Sequence, residues 1–470
     1  MRIDDTLRAA LQADELLLAP EQTLLPAAAG GPAPGIGVLV REGRFAAVGP
    51  LAQVRAQAPA LPVLALPRVL LMPGFVDAHH HLTQSFGKAL AFGEPSEIFR
   101  RIWVPLEGSL DPHGLYLSAK LAALEALRGG FTTVCDAGVR SAHGLEALAR
   151  ATGEAGLRCV PSFVCNDDGS RHAGVLAEAG RFLAACASGA PGATIWHPSL
   201  AVSIPEAATN TMLHAAAKLA AEAGCVLQVH VNEHLASVER SLVARGLRPL
   251  QHLDAAGALG PHALLAHCTM LTPDEMLLLR DSGSAVAVNP VASPWKGNAV
   301  APVQMLAALG VRLGLGTDGT RSDAFRMMDA AESNQRLAFG LASGDSVCGA
   351  GALWLDLALG GGADAAGLGR VTGRIEAGLA ADFLLLDLDV PELTPSWNLP
   401  WELVRLASRE QIVSVHVAGR QRLWRGWPVD WDARALMAQV REVAARQVAA
   451  APIHKVHRPG GPGAAEPLRR

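Results

Sequence analysis

Five polar side chains stand where short apolar segments of the chain end. His79 and His81 follow the first of these segments, His230 and His267 lie at the ends of two later ones, and Asp318 belongs to the GTDG sequence that closes the last. Neutral imidazole and carboxylate are ligands that suit zinc and similar divalent cations. A lone histidine is more often an ordinary core or surface residue. Four histidines and an aspartate in equivalent positions instead predict a metal centre.

The first segment, GFVDAHHHLTQS at 74–85, carries three adjacent histidines. Successive side chains of a strand point to opposite faces. His79 and His81 therefore point the same way, and His80 points the other way. We predict that the outer two histidines bind one ion, and that His80 is a packing residue whose replacement leaves the metal bound.

The sequence HVNEH at 230–234 has a second interpretation, because it fits the H-x-x-E-H signature of inverted zinc proteases. That signature needs a helix to bring both histidines to one metal. The segment CVLQVHVN is rich in β-branched residues and is typical of a strand. A protease would also leave the other strand-end residues unexplained. We therefore expect His234 to lie in the loop or helix that follows the strand.

The segments that must position these residues alternate with Ala/Leu-rich segments of helical period. Such alternation predicts repeated βα units and a parallel sheet. Eight strands in about 250 residues match an α/β fold of the TIM type, a (β/α)8 barrel, in which working residues lie at the C-terminal strand ends. A doubly wound open sheet stays an alternative, because periodicity alone does not close a barrel. The predicted strands span 69–78, 131–138, 158–165, 193–202, 225–232, 263–269, 285–290 and 312–319.

The two ends of the chain differ from the middle. LVREGRFAAVG near the start, and GRIEAGLAADFLLLDLD and IVSVHVAGRQRLWRG near the end, indicate antiparallel strands and turns. We predict that residues 1–65 and 371–430 pair into one small β-sandwich domain beside a barrel formed by residues 66–370. Residues 431–470 are expected to form an amphipathic helix followed by a loose tail.

Composition argues against several classes of function. The 470 residues carry a formal net charge of -4 that is spread along the chain, which leaves no basic stripe for nucleic acid. No apolar run reaches the roughly 20 residues of a membrane span, and the acidic N-terminus does not resemble a secretory signal. Seven cysteines form no CxxC pair, so we expect reduced thiols. These features predict a cytoplasmic protein without a membrane or nucleic-acid partner.

Several motifs together resemble the metal-dependent amidohydrolase superfamily. PGFVDAHHH, HVNE, AHCTML and GLGTDG occur in that order, and the strand-like segments near the C-terminus resemble the family's returning sandwich segments. Within the superfamily, the motifs resemble the branch of guanine and 8-oxoguanine deaminases, methylthioadenosine/S-adenosylhomocysteine deaminases and s-triazine hydrolases. By this resemblance His79, His81, His230 and Asp318 are metal ligands, and His267 lies close to a metal-bound water.

The absence of lysine around the fourth predicted strand indicates how many metal ions the site holds. Binuclear members of the superfamily bridge two metals with a carboxylated lysine at the fourth strand, but residues 158–217 contain no lysine. We therefore expect one divalent metal ion per subunit, with a bridging carboxylate such as Glu206 as the alternative. Zinc is the first expectation, and Fe²⁺ and Mn²⁺ are the alternatives.

Three residues are expected to handle protons during catalysis. Asp318 has a carboxylate oxygen free to take a proton from the metal-bound water, and His267 is placed to orient that water. By the resemblance, Glu233 protonates a ring nitrogen of the substrate. An acid in the first turn of a helix is the alternative role for Glu233.

Four further residues are predicted to contact the substrate. Gln84 resembles a glutamine of the 8-oxoguanine deaminases, with a structural hydrogen bond as the alternative. Glu107, in IFRRIWVPLEG, resembles the branch's IWPxE glutamate apart from one inserted residue, and a solvated helix acid is the alternative. His197 stands one position before the place of a family histidine, which is Pro198 here. Trp295 follows the seventh strand, where it could stack on a heterocycle.

The resemblance implies hydrolytic deamination of a nitrogen heterocycle of the purine, pterin, pyrimidine or triazine type. Metal-bound hydroxide would attack an amidine-like carbon, and ammonia would leave. The alternative is hydrolysis of a C–N or C–Cl bond in a cyclic amide, a urea or an s-triazine. A scaffold without activity is disfavoured because every expected ligand is present. We expect a small heterocyclic substrate and a homo-oligomer, most simply a dimer as among many relatives.

Overall fold

The computed structural model describes residues 3–94, 98–141, 144–187, 195–344 and 347–456. Its strands fall into a nine-stranded sheet built from the two ends of the chain and two parallel sheets built from the middle. The strands are β1 (Leu16–Leu24), β2 (Pro32–Ala33), β3 (Ile36–Arg41), β4 (Arg44–Pro50), β5 (Val63–Pro73), β6 (Phe75–His80), β7 (Phe131–Asp136), β8 (Arg158–Val160), β9 (Ser162–Val164), β10 (Ser199–Val202), β11 (Leu227–Val231), β12 (Ala263–His267), β13 (Ala285–Val288), β14 (Arg312–Leu315), β15 (Phe383–Asp387), β16 (Ile412–Val417), β17 (Arg420–Trp424) and β18 (Trp427–Pro428).

Helices separate the strands of the middle section. Several begin at a side chain that caps the first turn, such as Thr272, whose hydroxyl accepts from Glu275 N while the Glu275 carboxylate accepts from Thr272 N. None of the described helices has the length and apolar character needed to cross a membrane. The helices are α1 (Asp5–Ala10), α2 (Leu51–Gln57), α3 (Val104–Ser109), α4 (Pro112–Arg128), α5 (Gly144–Ala155), α6 (His172–Ala187), α7 (Asn210–Glu222), α8 (Leu235–Arg245), α9 (Pro249–Ala255), α10 (Pro273–Ser282), α11 (Ala292–Trp295), α12 (Val303–Ala308), α13 (Ala324–Gln335), α14 (Leu341–Ser343), α15 (Gly351–Ala358), α16 (Gly360–Ala365), α17 (Leu399–Arg405) and α18 (Ala433–Ala450).

The middle section is a closed barrel of parallel strands. One sheet has the order β6-β7-β8 and the other runs from β9 to β14, with each strand parallel to the next. Parallel bridges join His80 to Asp318 and Cys159 to Trp196, which connects the two sheets on both sides. The predicted TIM-type fold is therefore confirmed, and the open sheet is not formed.

The first predicted strand, 69–78, is divided between two sheets. Pro73 ends β5 and pairs with Phe383 of the nine-stranded sheet, whereas Phe75 begins β6 and pairs with Phe131 of the barrel. Gly74 makes this transition because a Cβ there would lie 2.1 Å from Thr132 Oγ1. The sheet from the chain ends thus continues to residue 73, beyond the predicted boundary at 65.

The nine-stranded sheet runs in the order β18-β17-β16-β15-β5-β1-β3-β4, with β2 paired to β1. Its pairs are antiparallel except for β1 with β5. One face buries apolar side chains such as Leu18, Val40 and Phe383 together. The other face packs Leu17 and Leu39 against Val54 of α2. The predicted pairing of both chain ends into one small β domain is thereby formed.

The C-terminal helix α18 packs on the outside of the barrel. Its Leu436 and Val443 are buried against Leu117 of α4. The amphipathic helix expected within 431–470 is formed by Ala433–Ala450. The loose tail expected after it falls largely on residues 457–470, which lie outside the described residues.

Candidate active site

Four predicted ligands converge at the C-terminal end of the barrel. His81 Nε2 lies 3.3 Å from His230 Nε2 and 3.4 Å from Asp318 Oδ1. His79 Nε2 lies 4.0 Å from the same Asp318 oxygen. His79 and His81 leave β6, His230 belongs to β11, and Asp318 follows β14. The barrel thus gathers side chains that stand up to 239 positions apart in the printed sequence, as the difference between 318 and 79 shows.

The nitrogen atoms of this cluster fit a divalent cation. His79 Nε2 and His81 Nδ1 are buried and receive or donate no hydrogen bond among the described residues. Burial lowers the pKa of both imidazoles well below the ordinary histidine value, so both are neutral. These neutral imidazoles face one another beside a carboxylate. A bound cation would give their unpaired nitrogen atoms a partner.

His230 is held in one tautomer by the barrel backbone. Its Nδ1 lies 2.7 Å from the carbonyl oxygen of Ser203, an oxygen that can only accept a hydrogen bond. The hydrogen is therefore on Nδ1, and Nε2 turns its lone pair toward His81 and the centre of the cluster. A backbone carbonyl commonly orients a metal-binding histidine in this way.

His267 faces the same centre but carries its ring hydrogen on the other nitrogen. The Asn289 amide donates to His267 Nδ1 over 3.1 Å, which leaves the hydrogen on Nε2. That Nε2 lies 3.6 Å from Glu233 Oε2. Burial lowers the pKa of His267 to about 4, so the ring is neutral. His267 is consequently arranged as a hydrogen-bond donor toward the cluster, in keeping with its predicted place beside a bound water.

The backbone is strained at two of these residues. His267 has φ 75° and Asp318 has φ 56°, both in the left-handed region that non-glycine residues seldom occupy. Such strain costs of order 1–3 kcal/mol per residue and concentrates at functional sites. The strand ends are therefore bent to aim these side chains, at a cost to stability.

A lysine joins the two carboxylates of the site. Lys296 Nζ lies 2.9 Å from Glu233 Oε1 and 2.5 Å from Asp318 Oδ2, and its side chain is 11% exposed. Burial raises the pKa of the Asp318 carboxyl, but the Lys296 charge and nearby His267 outweigh it, so the pKa lies well below its usual range. Burial also opposes ionisation of Glu233, and His267 and Lys296 again lower its pKa well below the ordinary value. Both acids are ionised.

His80 points away from the cluster, as strand alternation predicts. Its Nδ1 lies 2.8 Å from Thr317 Oγ1, and the Thr317 hydroxyl donates to Asp77 at 2.5 Å. Asp77 also accepts from the backbone N–H of His79 at 3.2 Å and of Thr317 at 3.0 Å. These contacts tie β6 to the end of β14 behind the metal-binding face.

A cavity of about 940 Å³, counting its open mouth, lies over the cluster. His81, His230, Glu233, Lys296 and Asp318 form its polar floor. The remaining wall is mainly apolar with a polar outer end, and it includes Gln84, Ile98, Phe99, Arg100, Trp103, Ile204, Pro205, Glu206, Ala236, Ser237, Arg240 and Pro249.

Comparison with known proteins agrees with this geometry. Residues 70–422 match the family model described as Amidohydrolase family. A 5-methylthioadenosine/S-adenosylhomocysteine deaminase of Syntrophobacter fumaroxidans is 30% identical over 414 residues, which cover 87% of this chain and 91% of the relative. The chain belongs to the amidohydrolase family. A short second match, residues 37–60, is to an imidazolonepropionase-like composite domain of bacteria and falls on the small β domain.

Solved structures of the amidohydrolase fold superpose over most of the chain. An adenosine deaminase from Xanthomonas campestris with bound zinc has a TM-score of 0.83 and 25% identity, covering 92% of this chain and 98% of that chain. An atrazine chlorohydrolase from Arthrobacter aurescens complexed with zinc has a TM-score of 0.80 at 18% identity, covering 91% and 100%. The second likeness concerns the fold alone.

Three of the four predicted substrate residues take unexpected places in this amidohydrolase. Gln84 lines the cavity, but Glu107 does not. Glu107 is fully buried, and its oxygens accept from Thr83, Gln84 and Arg140. The prediction of a substrate contact for Glu107 is therefore wrong in this geometry: the inserted residue of IFRRIWVPLEG leaves the carboxylate behind the cavity wall.

His197 and Trp295 also lie away from the cavity. His197 Nε2 accepts from Arg158 Nη1 over 3.1 Å at the opposite end of the barrel, where β10 has not yet begun. Its predicted substrate contact is wrong because the residue precedes the strand instead of following it. Trp295 packs edge-on against Phe92, with ring centroids 5.3 Å apart, and is absent from the cavity lining. Its stacking on a substrate heterocycle stays a prediction, which this lining does not support.

Trp103 and Lys296 are the functional candidates that sequence reasoning missed. Trp103 ends a π-helical turn, Phe99–Trp103, and lines the cavity where Trp295 does not. A signal for it exists in the sequence, since it belongs to the same IFRRIWVPLEG segment that carries Glu107. No sequence motif singles out Lys296, because its reach to both acids depends on the course of α11.

The protease interpretation of HVNEH is excluded by secondary structure. His230 lies within strand β11, which ends at Val231, while His234 occupies the N-cap position of helix α8, so the two do not share a helix face. His234 lies 3.1 Å from Glu233 and 2.8 Å from Asn298, outside the groups that could hold a metal. Glu206, the alternative bridging carboxylate, lies 3.5 Å from Arg240 at the outer end of the cavity.

Proposed function

We propose that the protein is a metal-dependent hydrolytic deaminase that converts an amino-substituted nitrogen heterocycle to the oxo compound and ammonia. The observation that carries the proposal is the Glu233 carboxylate, which stands between His267 and Lys296 beside the histidine and aspartate cluster. Deamination requires a proton at a ring nitrogen, and this carboxylate lies on the cavity floor, where it can carry a proton from the attacking water to the ring. Relatives named as deaminases, together with family membership, support the assignment.

The cluster is proposed to hold one divalent cation through His79, His81, His230 and Asp318. Zinc is the metal of the similar solved structures, and imidazole and carboxylate ligands suit it, with iron and manganese as alternatives. When bound, such an ion polarises water so that it serves as a nucleophile near neutral pH. One ion is favoured because the described fourth strand offers no lysine to bridge a second.

The surrounding residues supply proton transfer and orientation. Glu233, which is ionised in the resting site, would take the first proton from the attacking water and pass it to the ring nitrogen as the amidine carbon becomes tetrahedral. His267 Nε2–H would donate toward the attacking oxygen, and Asp318, whose Oδ2 contacts Lys296, would accept the second water proton. Collapse then breaks the exocyclic C–N bond, and Asp318 passes that second proton to the amino group, which leaves as ammonia. The apolar wall, including Trp103 and Ile98, excludes bulk water around the ring.

Hydrolysis of a C–Cl bond is the second candidate, because an atrazine chlorohydrolase shares the fold. A chloride leaving group needs no proton, so a carboxylate at position 233 that carries a proton from water to the substrate would add little to that reaction. An amine leaving group does need one. Glu233 and its contacts therefore favour deamination over dechlorination.

An ammonia-release assay tests the proposal directly. Protein loaded with zinc is incubated with aminopurines, pterins, aminopyrimidines, aminotriazines and cyclic ureas, and the same protein stripped with a chelator is the control. We expect ammonia from at least one amino-heterocycle, in proportion to bound metal. Turnover of an amide or a chlorotriazine alone, without ammonia from any amino-heterocycle, would replace deamination by the second candidate. A homodimer and a cytoplasmic location stay predictions from the resemblance and composition.

A further inference from the structure

A second cavity opens at the N-terminal end of the barrel, between the barrel and the small β domain. It has a volume of about 2490 Å³, counting its open mouth. Six of its lining residues are arginines and four are acids, whereas the whole chain has a formal net charge of -4. The lining therefore carries an excess of positive charge in a protein of the opposite sign. The arginines are Arg41, Arg44, Arg158, Arg370, Arg420 and Arg422.

Three of these arginines already have acceptors for their guanidinium groups. Arg41 and Arg158 form ion pairs with carboxylates, and Arg44 donates to a backbone carbonyl oxygen over 2.8 Å. The other three form no ion pair and donate no side-chain hydrogen bond to another of the described residues; they are Arg370, Arg420 and Arg422. The lining acids that are not paired with arginine are exposed to solvent. Three guanidinium groups thus share one cavity without an acidic partner.

Arg422 is the least exposed of these three arginines. Its side chain is half-buried, and its Nε is buried without a hydrogen-bond partner among the described residues. A Cβ built at Gly156 would lie 2.4 Å from that Nε, so the guanidinium packs against the turn between α5 and β8. Burial lowers the pKa of Arg422, and the nearby Arg420 charge adds to this effect, although two carboxylates oppose it. A guanidinium stays charged at neutral pH, and a desolvated charge is costly unless an opposite charge pairs with it.

The backbone holds these side chains in place before any ligand arrives. Arg420 and Arg422 stand two positions apart in strand β17, so their side chains point to the same face of the sheet. The turn before β17 is fixed, because Ala418 N donates to Asp382 over 2.7 Å. Arg370 reaches the cavity from the segment that follows α16. Groups that are positioned in advance lose less conformational freedom when a ligand binds.

The chemistry of the lining indicates which anion would fit. Guanidinium groups bind phosphate and carboxylate oxygens through two parallel hydrogen bonds. No aromatic side chain is among the described residues of the lining, so the cavity offers no surface on which a nucleobase could stack. These features favour a compact phosphate-type anion over a nucleotide.

We propose that this cavity binds a compact phosphate-type anion, such as phosphate or pyrophosphate, through Arg370, Arg420 and Arg422. The site is separate from the proposed metal centre, which lies at the other end of the barrel. Because the arginines come from both sides of the cavity, a bound anion joins the small β domain to the barrel. Binding therefore stabilises the folded protein without entering the reaction.

Calorimetric titration of the zinc-loaded protein tests this site. Pyrophosphate, phosphate and ADP are compared at constant ionic strength. We expect pyrophosphate to bind with a dissociation constant of about 1 mM or lower, phosphate to bind more weakly, and ADP to bind no more tightly than pyrophosphate. No binding of pyrophosphate at about 10 mM would overturn the proposal. Binding of ADP more than about tenfold tighter than pyrophosphate would also overturn it, because the cavity would then recognise a nucleotide.

Arginine variants locate the anion. Arg422→Met should weaken pyrophosphate binding roughly tenfold or more, because charge-assisted hydrogen bonds are lost. Arg422→Lys keeps the charge without the planar fork and should have an intermediate affinity. Arg441→Met removes an exposed arginine of α18 outside the lining, so it is the matched control and should bind as the unmodified protein does. Equal weakening in Arg422→Met and Arg441→Met would indicate general charge attraction and refute the site. If Arg422→Met does not fold, the exposed Arg420→Met takes its place in this comparison.

A variant of the metal centre separates the two ends of the barrel, since pyrophosphate also binds metal ions. His230→Ala, which we expect to hold no metal, should keep its affinity for pyrophosphate. Its midpoint of thermal unfolding should rise with pyrophosphate concentration, as for any ligand of the folded state, and should rise less when Arg422→Met is added. Loss of pyrophosphate binding in His230→Ala would place the anion at the metal centre and overturn the proposal.

Discussion

Two buried charged clusters occupy opposite ends of the same barrel, and they differ in how fully their polar atoms are paired. At the N-terminal end, Arg158 Nε and Nη2 donate to Asp382 at 2.7 and 3.0 Å, and Nη1 donates to His197. Asp382 also accepts from Thr372 at 2.8 Å and from Ala418 N at 2.7 Å. We call Arg158 and Asp382 the lower pair. They join the barrel to the small β domain, and both Asp382 carboxylate oxygens accept hydrogen bonds.

The upper cluster, formed by the proposed ligands with His267, Glu233 and Lys296, has the opposite character. Buried ring nitrogens of His79, His81 and His267 have no hydrogen-bond partner among the described residues. The backbone is left-handed at His267 and Asp318. Buried polar groups are normally paired, so several unpaired ring nitrogens that converge beside a carboxylate fit a bound group that would supply their partner. Because both carboxylate oxygens of the lower pair are hydrogen-bonded, we assign this pair a structural role. Because ring nitrogens of the upper cluster are unpaired, we assign that cluster a functional role.

The largest effect expected from this contrast follows from removing an upper ligand. His230→Ala should abolish metal binding and reduce turnover by about three orders of magnitude or more, because the ion loses a ligand and its nucleophile. Metal content by mass spectrometry, measured beside ammonia release, checks both consequences. Thermal stability without metal should change little. Full metal occupancy in the variant would remove His230 from the ligand set.

Glu233→Gln tests the proton-transfer part of the upper cluster without touching a ligand. The variant should keep its metal but lose about 10²–10⁴-fold in kcat, the range for a positioned acid or base. Glutamine retains the shape of Glu233, but it can neither accept a proton from water nor pass one to the substrate. Steady-state kinetics on zinc-loaded protein give the measurement. Turnover equal to that of the unmodified protein would refute the proton-transfer role.

Much of this upper cluster could be predicted from sequence, for a geometric reason. Parallel barrel strands bring their C-terminal ends to one place, so His230 and Asp318 had to meet once the strands were recognised. Glu107 and His197 could not be placed in the same way. Glu107 leaves the cavity because a π-helical turn precedes it, and His197 comes before β10 instead of after it. Strand boundaries that differ by a few residues reverse which end of the barrel a side chain occupies.

The lower pair should govern stability instead of catalysis. Asp382→Asn leaves the buried Arg158 guanidinium without its countercharge, and breaking a buried pair typically costs about 3–5 kcal/mol. Urea denaturation followed by circular dichroism measures the loss, while turnover per folded, metal-loaded molecule should be unchanged. Asp281→Asn, in the exposed pair with Arg280, is the matched control and should cost about 1 kcal/mol or less. Equal losses of stability in Asp382→Asn and Asp281→Asn would contradict the claim that the buried ion pair stabilises the fold more than the exposed one.

The pH dependence of stability gives a smaller effect with a definite sign. Burial raises the pKa of the Asp382 carboxyl, but the Arg158 charge and the hydrogen bonds from Arg158, Ala418 and Thr372 outweigh it, so the folded pKa lies below the ordinary 3.8. A depressed acid contributes stability fully above its unfolded pKa and loses it as pH falls through the folded value. Denaturation measured from pH 6 down to pH 3 should therefore show a component that Asp382→Asn lacks. If the free energy of unfolding falls with pH by the same amount in the unmodified protein and in Asp382→Asn, then Asp382 contributes no such component.

His80 gives the smallest expected effect and the finest test of the boundary between the two kinds of cluster. It adjoins two proposed ligands in sequence, yet its Nδ1 is paired with Thr317 and its ring faces away from the metal-binding face. By the criterion of completeness it belongs with the structural residues. His80→Asn should therefore keep full metal occupancy and cost about 1 kcal/mol of stability, the worth of one hydrogen bond. A loss of metal as large as that in His230→Ala would show that hydrogen-bond pairing does not distinguish structural from functional residues at this site. A histidine whose hydrogen bond to Thr317 is already formed would then be as necessary to the ion as a ligand.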